Sequence, residues 1–287
     1  MSVFNASRLL GKTVIVTGAS SGIGAATAVL FAKGGSNVIL VARRADALKK
    51  VADACTAAHK ESGLQQGGKI ASVQLDVSDK AQVATLWDKV PQDLRNVDIL
   101  VNNAGFVLGV EHVGDIKPED VESMFSTNVF GLISMTQLLI KDFKAKKAGH
   151  VINLGSIAGL EPYAGGSIYT ATKHAVRAFT GSMRRELVNT PIRVTEIQPG
   201  MVETEFSIVR YRGDTTAAGK VYEGLEPCKF IYSICCFSCV LTYSVTAADI
   251  AEEIVWAAAR PPHVNIAEML VFPVNQASAT INYRGPK

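Results

Sequence analysis

The chain has 287 residues, of which 48% are hydrophobic and 19% are charged, and its formal net charge is +3. This length suits one α/β domain or two smaller ones, and the apolar fraction is ample for a large core. The small net charge gives little support for a nucleic-acid partner. The N-terminal residues lack the pattern of a secretory signal, so we expect a cytoplasmic protein.

The N-terminal region combines a strand, a glycine-rich turn and a helix. Lys12–Thr17 is a short, apolar, β-branched run that is typical of a buried strand. Gly18, Gly22 and Gly24 follow at once with the spacing G-x-x-x-G-x-G, and the helical run Ala25–Lys33 comes next. Such a turn at a helix N-terminus can cradle phosphate groups. A plain glycine-rich loop is the alternative, but the flanking strand and helix favour a dinucleotide site.

The second predicted strand, Asn37–Ala42, ends in Arg43 and Arg44. In NAD sites a carboxylate about twenty residues beyond the glycines binds the ribose 2′-hydroxyl, whereas in NADP sites an arginine meets the 2′-phosphate. No Asp or Glu occupies this strand end, and a guanidinium pairs strongly with phosphate. We therefore predict NADP as the cofactor, with Arg43 as the first candidate and Arg44 as the second. Two solvated arginines are the alternative.

Strand and helix patterns alternate along the rest of the chain. Further strands are predicted near Ile70–Asp76, Asp98–Val101, His150–Leu154, Ile192–Gln198 and Met269–Phe272. Residues 55–68 are predicted to form a surface loop. The alternation predicts a single Rossmann-type α/β domain, a doubly wound parallel sheet flanked by helices on both faces. No Pro/Gly/Ser-rich linker or internal repeat divides the chain.

Three polar residues carry the strongest catalytic signal. Tyr169 and Lys173 lie four residues apart and so share one face of a helix, and Ser156 precedes them. An ammonium favours the charged form of a neighbouring acid, so we expect Lys173 to lower the pKa of Tyr169 from its ordinary value of about 10. Ser156 can hydrogen-bond the substrate oxygen that Tyr169 protonates or deprotonates, although a plain turn serine is equally plausible in isolation.

Together with several further stretches, these residues make the chain resemble the short-chain dehydrogenase/reductase family over almost its full length. The matching stretches are Thr17–Gly24, Asp76–Val77, Asn102–Gly105 and Pro199–Thr204. The resemblance, with the two arginines, implies an NADP site formed by Gly18, Ser20, Ser21, Gly22, Ile23, Gly24, Arg43, Arg44, Asp76, Val77, Asn103, Ala104, Gly105, Tyr169, Lys173, Pro199, Gly200, Val202 and Thr204.

The resemblance also implies a catalytic tetrad of Asn128, Ser156, Tyr169 and Lys173, in which no position is substituted. Tyr169 would be the general acid/base, Lys173 would tune it and hold the ribose, and Ser156 would position the substrate oxygen. The backbone carbonyl of Asn128 would bind a water that links Lys173 to solvent. Without the family, Asn128 would be interpreted as an ordinary amide on a helix surface.

Four stretches resemble one subgroup of the family, the NADP-dependent 3-hydroxy acid dehydrogenases, which also oxidise serine and allo-threonine. They are Asn153–Gly159, Gly166–Tyr169, Val202–Gly213 and Phe272–Ser278. This resemblance implies a small-molecule substrate such as serine, allo-threonine, 3-hydroxypropionate or 3-hydroxyisobutyrate. A substrate carboxylate suits a guanidinium, so Arg210 and Arg212 are candidate substrate residues, with solvated or oligomer-contact arginines as the alternative.

Two other functions stay open, a broad-specificity NADPH carbonyl reductase of the same family and, less favoured, a non-catalytic NADP-binding regulator. No Cys or His spacing suits a metal, so we expect none in the chemistry. Family members are usually dimeric or tetrameric, which implies a homodimer or homotetramer. The apolar stripe of Phe179, Met183 and Leu187 could be either interface or core.

Residues 228–245 differ in composition from everything around them, with four of the five cysteines and a single charge. The stretch is short for a membrane span, lacks the basic face of an interfacial anchor and fits poorly as a disulfide cluster without a secretory signal. We therefore expect no membrane partner, and we interpret the stretch as a retained intron. Its removal would bring Pro227 almost directly to the helix cap Thr246–Asp249. Abundant peptides from this stretch, on peptide mapping of the native protein, would contradict the hypothesis.

Overall fold

The computed structural model describes residues 6–223 and 245–284, and a parallel sheet of seven strands lies at the centre of this part of the chain. The strands are β1 (Thr13–Thr17), β2 (Asn37–Ala42), β3 (Ile70–Gln74), β4 (Ile99–Asn102), β5 (Gly149–Leu154), β6 (Ile192–Pro199), β7 (Val202–Glu203), β8 (Val245–Thr246) and β9 (Glu268–Val271). Their order in the large sheet is β3-β2-β1-β4-β5-β6-β9, and β7 pairs with β8. Connections reverse direction between β1 and β4, which places a ligand crevice at the carboxyl ends of these strands.

The helices are α1 (Gly22–Lys33), α2 (Ala45–Ser62), α3 (Lys80–Ala84), α4 (Leu86–Lys89), α5 (Pro118–Phe125), α6 (Leu132–Ala145), α7 (Ser167–Glu186), α8 (Phe206–Arg210), α9 (Thr215–Tyr222) and α10 (Ala247–Ala258). A π-helical turn, Ser126–Gly131, joins α5 to α6. The surface loop predicted for residues 55–68 is wrong in its first part, because α2 continues to Ser62 and buries Cys55 and Ala58.

Helices cover both faces of the sheet, as the alternation predicts. The first face packs Phe31 of α1 and Ile254 of α10 into one buried cluster. The second face packs α6 and α7 against the sheet, and here Met183 and Leu187 are buried with Phe179 against them. This apolar stripe is therefore core. The predicted doubly wound α/β fold is confirmed.

The continuous helical stretch Pro118–Ala145 is the one stretch within residues 6–223 and 245–284 that is long and apolar enough to cross a membrane. Of its apolar window, 56% is buried inside the protein. Met135 and Phe143 from this stretch are fully buried against the sheet. Burial in the core accounts for its apolar composition.

Residues 228–244 lie outside the described residues, so the retained-intron hypothesis stays a prediction. The described chain resumes at Val245, and Thr246 caps α10. The Thr246 hydroxyl accepts a hydrogen bond from the Asp249 backbone N–H at 3.4 Å, and the Asp249 carboxylate accepts one from the Thr246 N–H at 2.7 Å. This reciprocal pair is a capping box, and it confirms the helix start predicted at Thr246.

Candidate active site

A cleft with a volume of about 640 Å³ opens at the carboxyl ends of the central strands. Of the residues predicted to contact NADP, it is lined by Gly18, Ser20, Ser21, Gly22, Ile23, Arg43, Arg44, Asp76, Val77, Asn103, Ala104, Gly105, Tyr169, Lys173, Pro199, Gly200, Val202 and Thr204. Gly24 is the exception, since it lies beneath the loop and not in the wall. Ser156 also lines the cleft, at the same end as Tyr169 and Lys173.

The glycine-rich loop requires glycine for its shape. Gly18 and Gly22 have φ values of +65° and +54°, which other residues rarely adopt. A Cβ added at Gly18 would lie 2.8 Å from the Cα of Ala104, and one at Gly24 would clash with the Gly18 carbonyl. The N-cap residue Ser21 makes no side-chain hydrogen bond to the first turn of α1. The N–H groups of that turn are therefore available to an anionic ligand.

Asn103 ties the glycine-rich loop to the neighbouring strand. Its Nδ2 donates to the carbonyls of Thr17 at 2.9 Å and Gly18 at 3.2 Å. The Thr17 hydroxyl accepts hydrogen bonds from the backbone N–H groups of Asn103 and Ala104. These contacts join segments about 86 residues apart in sequence and hold the floor of the cleft.

The two arginines after β2 make different contacts. Arg44 donates to the hydroxyl of Ser21 at 2.8 Å and to that of Ser20 at 3.3 Å, and it pairs with Glu205 at 3.4 Å. Arg43 lies 3.9 Å from the Asp76 carboxylate. Their side chains are 65% exposed for Arg43 and 55% for Arg44, so both can meet a ligand. Arg44 is the arginine that reaches the glycine-rich loop, and the predicted order of Arg43 before Arg44 stays a prediction.

Tyr169, Lys173 and Ser156 come together in a buried group. Successive turns of α7 present Tyr169 and Lys173, each 7% exposed, and the Lys173 Nζ lies 5.8 Å from the centre of the Tyr169 ring. The Lys173 Nζ donates to the Leu154 carbonyl at 2.8 Å. The Ser156 hydroxyl, 8% exposed, accepts from the Ala158 N–H at 3.1 Å. The Phe206 ring meets the Tyr169 ring edge-on, with 5.5 Å between centroids.

Burial controls the titration of this group. It raises the pKa of Tyr169 above its ordinary value, and neighbouring Tyr163 adds to the rise, whereas the Ser156 hydroxyl and the charge of Arg210 lower it. Burial also lowers the pKa of Lys173 to about 8. The prediction that Lys173 lowers the pKa of Tyr169 is wrong for this structure. Both charged forms lose hydration, and the ammonium is directed at the Leu154 carbonyl.

Asn128 is 1% exposed, so the surface-amide interpretation is wrong. Its Oδ1 accepts from the Phe106 N–H at 3.0 Å, and its Nδ2 donates to the Phe106 carbonyl at 2.8 Å and to the Thr172 hydroxyl at 3.2 Å. Asn128 does not line the cleft, and its contact with Thr172 places it behind Lys173. It lies in the π-helical turn, a local widening that often occurs at functional sites.

The two candidate substrate arginines differ in their binding partners within the protein. Arg212 pairs with Asp120 at 2.6 Å and with Glu111 at 3.3 Å, and these hydrogen bonds raise its pKa. It does not line the cleft. Because its guanidinium is already bound to two carboxylates, Arg212 is a structural residue that joins the turn after α8 to α5, and its prediction as a substrate residue is wrong.

Arg210 lies closer to the catalytic group. Its guanidinium is 5.5 Å from the centre of the Tyr163 ring, and its Nη2 donates to the Gly165 carbonyl at 3.1 Å. Its Nε is buried and has no hydrogen-bond partner among the residues that the structure describes. The positive charge of Arg210 favours the phenolate of Tyr169. Arg210 does not line the cleft itself, but Val209 next to it does.

Sequence reasoning missed the apolar wall beside the catalytic group. The wall is formed by Phe106, Leu108, Phe206 and Val209. Tyr163 packs in the same cluster as Tyr169. These residues lie in loops and in the short helix α8, where no hydrophobic period marks them. The P-G-x-x-x-T segment that precedes Phe206 is the one local signal that could have pointed to this wall.

The comparisons agree with the geometry. The family model for short chain dehydrogenases matches residues 12–213. The chain is 40% identical over 279 residues to the NADP-dependent 3-hydroxy acid dehydrogenase of Schizosaccharomyces pombe, which covers 97% of this chain and 98% of that protein. It is 36% identical over 270 residues to the serine 3-dehydrogenase of Agrobacterium fabrum, covering 94% and 97%.

A solved structure described as the closed form of serine dehydrogenase complexed with NADP+ superposes with a TM-score of 0.80 at 36% identity. It covers 96% of this chain and 100% of its own. These matches span the sheet, the glycine-rich loop and the Ser156–Tyr169–Lys173 group alike. The chain therefore belongs to the short-chain dehydrogenase/reductase family.

Proposed function

We propose that this protein is an NADP-dependent oxidoreductase that transfers hydride between NADP(H) and a small 3-hydroxy acid. The observation that carries the proposal is the buried Ser156–Tyr169–Lys173 group at one end of a cleft whose wall also holds the glycine-rich loop and two arginines. The names of the relatives support it, because they describe NADP-dependent 3-hydroxy acid and serine dehydrogenases. Serine, allo-threonine, 3-hydroxypropionate and 3-hydroxyisobutyrate are the substrates we propose.

NADP fits the residues of the cleft. The glycine-rich loop and the first turn of α1 suit its pyrophosphate, because no side chain caps the N–H groups of that turn. Arg44, with Arg43 beside it, suits the 2′-phosphate. When bound, NADP supplies the nicotinamide that accepts or gives the hydride.

In the proposed reaction, Tyr169 exchanges a proton with the substrate oxygen and the other three tetrad residues support this transfer. In the oxidation direction, Tyr169 removes the proton of the substrate hydroxyl while Ser156 hydrogen-bonds the same oxygen. Lys173 lies one helical turn away from Tyr169, and its ammonium would hold the ribose of the bound cofactor. Asn128 braces the Phe106 segment behind these residues through its two backbone hydrogen bonds. The reverse assignments operate in carbonyl reduction.

Arg210 is the residue that we propose for the substrate carboxylate, because its positive charge lowers the pKa of Tyr169 and its neighbour Val209 lines the cleft. In Arg210→Ala, kcat/KM for 3-hydroxypropionate is expected to fall by about 10- to 100-fold, mainly through KM, as one charge-assisted hydrogen bond is lost. The value for 1-propanol, which has no carboxylate, is expected to stay unchanged. Initial rates of NADP reduction with both substrates measure the difference.

Arg212→Ala is the matched control, two residues further along the chain. It breaks the ion pairs with Asp120 and Glu111, so it is expected to lower thermal stability and keep the preference for the acid. If wild-type protein oxidises 1-propanol as well as 3-hydroxypropionate, the 3-hydroxy acid assignment fails. If instead Arg210→Ala keeps the wild-type KM for the acid, only the role of Arg210 fails.

A broad-specificity NADPH carbonyl reductase is the second candidate. The wall of Phe106, Leu108, Phe206 and Val209 favours it, because apolar surface also suits uncharged ketones. The unbroken tetrad disfavours a non-catalytic NADP-binding regulator.

We also propose a cytoplasmic homodimer or homotetramer, and exposed apolar side chains near the C-terminus, Val274 and Ile281, support self-association.

A further inference from the structure

Glu196 is a buried carboxylate that the proposed chemistry does not use. It lies on β6, is 1% exposed, and faces α7. A Cβ added at Gly155 would clash with its Oε1, so the carboxylate lies directly against that glycine. Gly155 stands between Ser156 and Leu154, and the Leu154 carbonyl accepts the hydrogen bond of Lys173. Glu196 is thus packed behind the turn that carries Ser156 and the Leu154 carbonyl to which Lys173 donates.

Few groups can compensate the charge of Glu196. Lys173 and Arg177 face it from α7, Gln198 lies two residues further along β6, and Glu268 is its neighbour on β9. Arg177 is 3.8 Å from the Glu268 carboxylate and is therefore shared. The Oε1 of Glu196 has no hydrogen-bond partner among the described residues. A carboxylate buried in this way needs a nearby cation, and Lys173 is the buried one.

The two groups act on each other's protonation. Burial raises the pKa of Glu196, and the adjacent Gln198 amide, Lys173 and Arg177 lower it while Glu268 raises it. Burial lowers the pKa of Lys173 to about 8, and the charge of Glu196 is what opposes that fall. Each group therefore favours the charged form of the other, across the Gly155 turn.

We propose that Glu196 is a positioning residue that keeps Lys173 in its ammonium form and supports the turn carrying Ser156, without touching substrate or cofactor. The inference rests on the proposed function in one respect, namely that the Lys173 ammonium contributes to NADPH binding. Glu196 would then help to set the pH range over which the protein binds NADPH. The charge on Glu196, rather than its volume, carries this effect.

Glu196→Gln removes the charge and preserves the size of the side chain. The dissociation constant of NADPH is measured by fluorescence titration between pH 7 and 10, where the 2′-phosphate no longer titrates. Wild-type affinity is expected to fall as Lys173 loses its proton. In the variant, the midpoint of this fall is expected to move down by about one pH unit, the size of an interaction between two charges that share a buried, poorly hydrated region.

Two matched variants separate a charge effect from a structural one. Glu268→Gln removes a carboxylate from the adjacent strand and is expected to leave the midpoint unchanged. Glu196→Asp keeps the charge and is expected to restore a midpoint near the wild-type value. Glu196→Leu gives a second charge-removing variant if Glu196→Gln does not fold. An unchanged midpoint in the charge-removing variant, or an equal shift in Glu268→Gln, would overturn the inference. A wild-type protein that binds no NADPH would overturn the proposed function itself.

Discussion

Replacement of Tyr169 by phenylalanine is expected to lower kcat by about 10²- to 10⁴-fold, the usual contribution of a positioned general acid/base. The ring itself is expected to stay in place, because it is 7% exposed and packs edge-on against Phe206. Phenylalanine keeps these contacts and removes the hydroxyl alone. NADPH affinity is therefore expected to remain largely intact. Steady-state rates with a 3-hydroxy acid, together with a fluorescence titration of NADPH, measure both quantities.

Tyr163→Phe provides the matched control for Tyr169→Phe. Tyr163 packs in the same buried cluster and lies under the Arg210 guanidinium, but it is not a tetrad residue. Its hydroxyl is expected to contribute far less to kcat than that of Tyr169. Turnover by Tyr169→Phe at the wild-type rate would refute the acid/base role. Equal losses in the two variants would point to a general disturbance of the pocket instead.

Removal of the Arg44 side chain is expected to lower the preference for NADP over NAD by about 10- to 100-fold, the effect of losing a charge-assisted contact to phosphate. Arg44 reaches Ser20 and Ser21 of the glycine-rich loop, and its guanidinium is half exposed, so a phosphate at the loop can reach it. The loss is expected in the KM for NADP, with the KM for NAD little changed, because NAD has no 2′-phosphate. The ratio of kcat/KM for the two cofactors measures it.

Arg43→Ala is the control for the Arg44 variant, since it removes an equal charge from the adjacent residue. Arg43 lies near Asp76 and not near the glycine-rich loop, so its loss is expected to have the smaller effect. A larger effect of Arg43→Ala would restore the order that the sequence predicts. If both single variants keep the wild-type preference for NADP, another group recognises the 2′-phosphate.

The sequence alone was sufficient for the fold and for most of the cleft. Buried parallel strands appear in a sequence as short apolar runs. The alternation of such runs with helices indicates a sheet that helices cover on both faces. The glycine-rich loop is also a local feature, because its shape follows from Gly18 and from Gly22 and Gly24 in the first turn of α1. Many of the residues predicted to bind the cofactor follow closely after a strand, as Gly18, Arg43 and Asn103 do, and parallel strands bring their carboxyl ends to one edge. Short-range patterns therefore determined these parts.

Only the tertiary structure decided which polar side chains are bound by partners within the protein and how burial shifts the pKa values of the ionisable ones. Arg210 and Arg212 are two residues apart in one segment, yet Asp120, some ninety residues away, binds Arg212 alone. Glu196 and Lys173 belong to different elements, and each affects the pKa of the other only because β6 packs against α7. The pKa of Tyr169 rises because hydration is lost, a quantity that neighbours in sequence do not set. Such properties depend on contacts between distant segments and on exclusion of water, which no local pattern encodes.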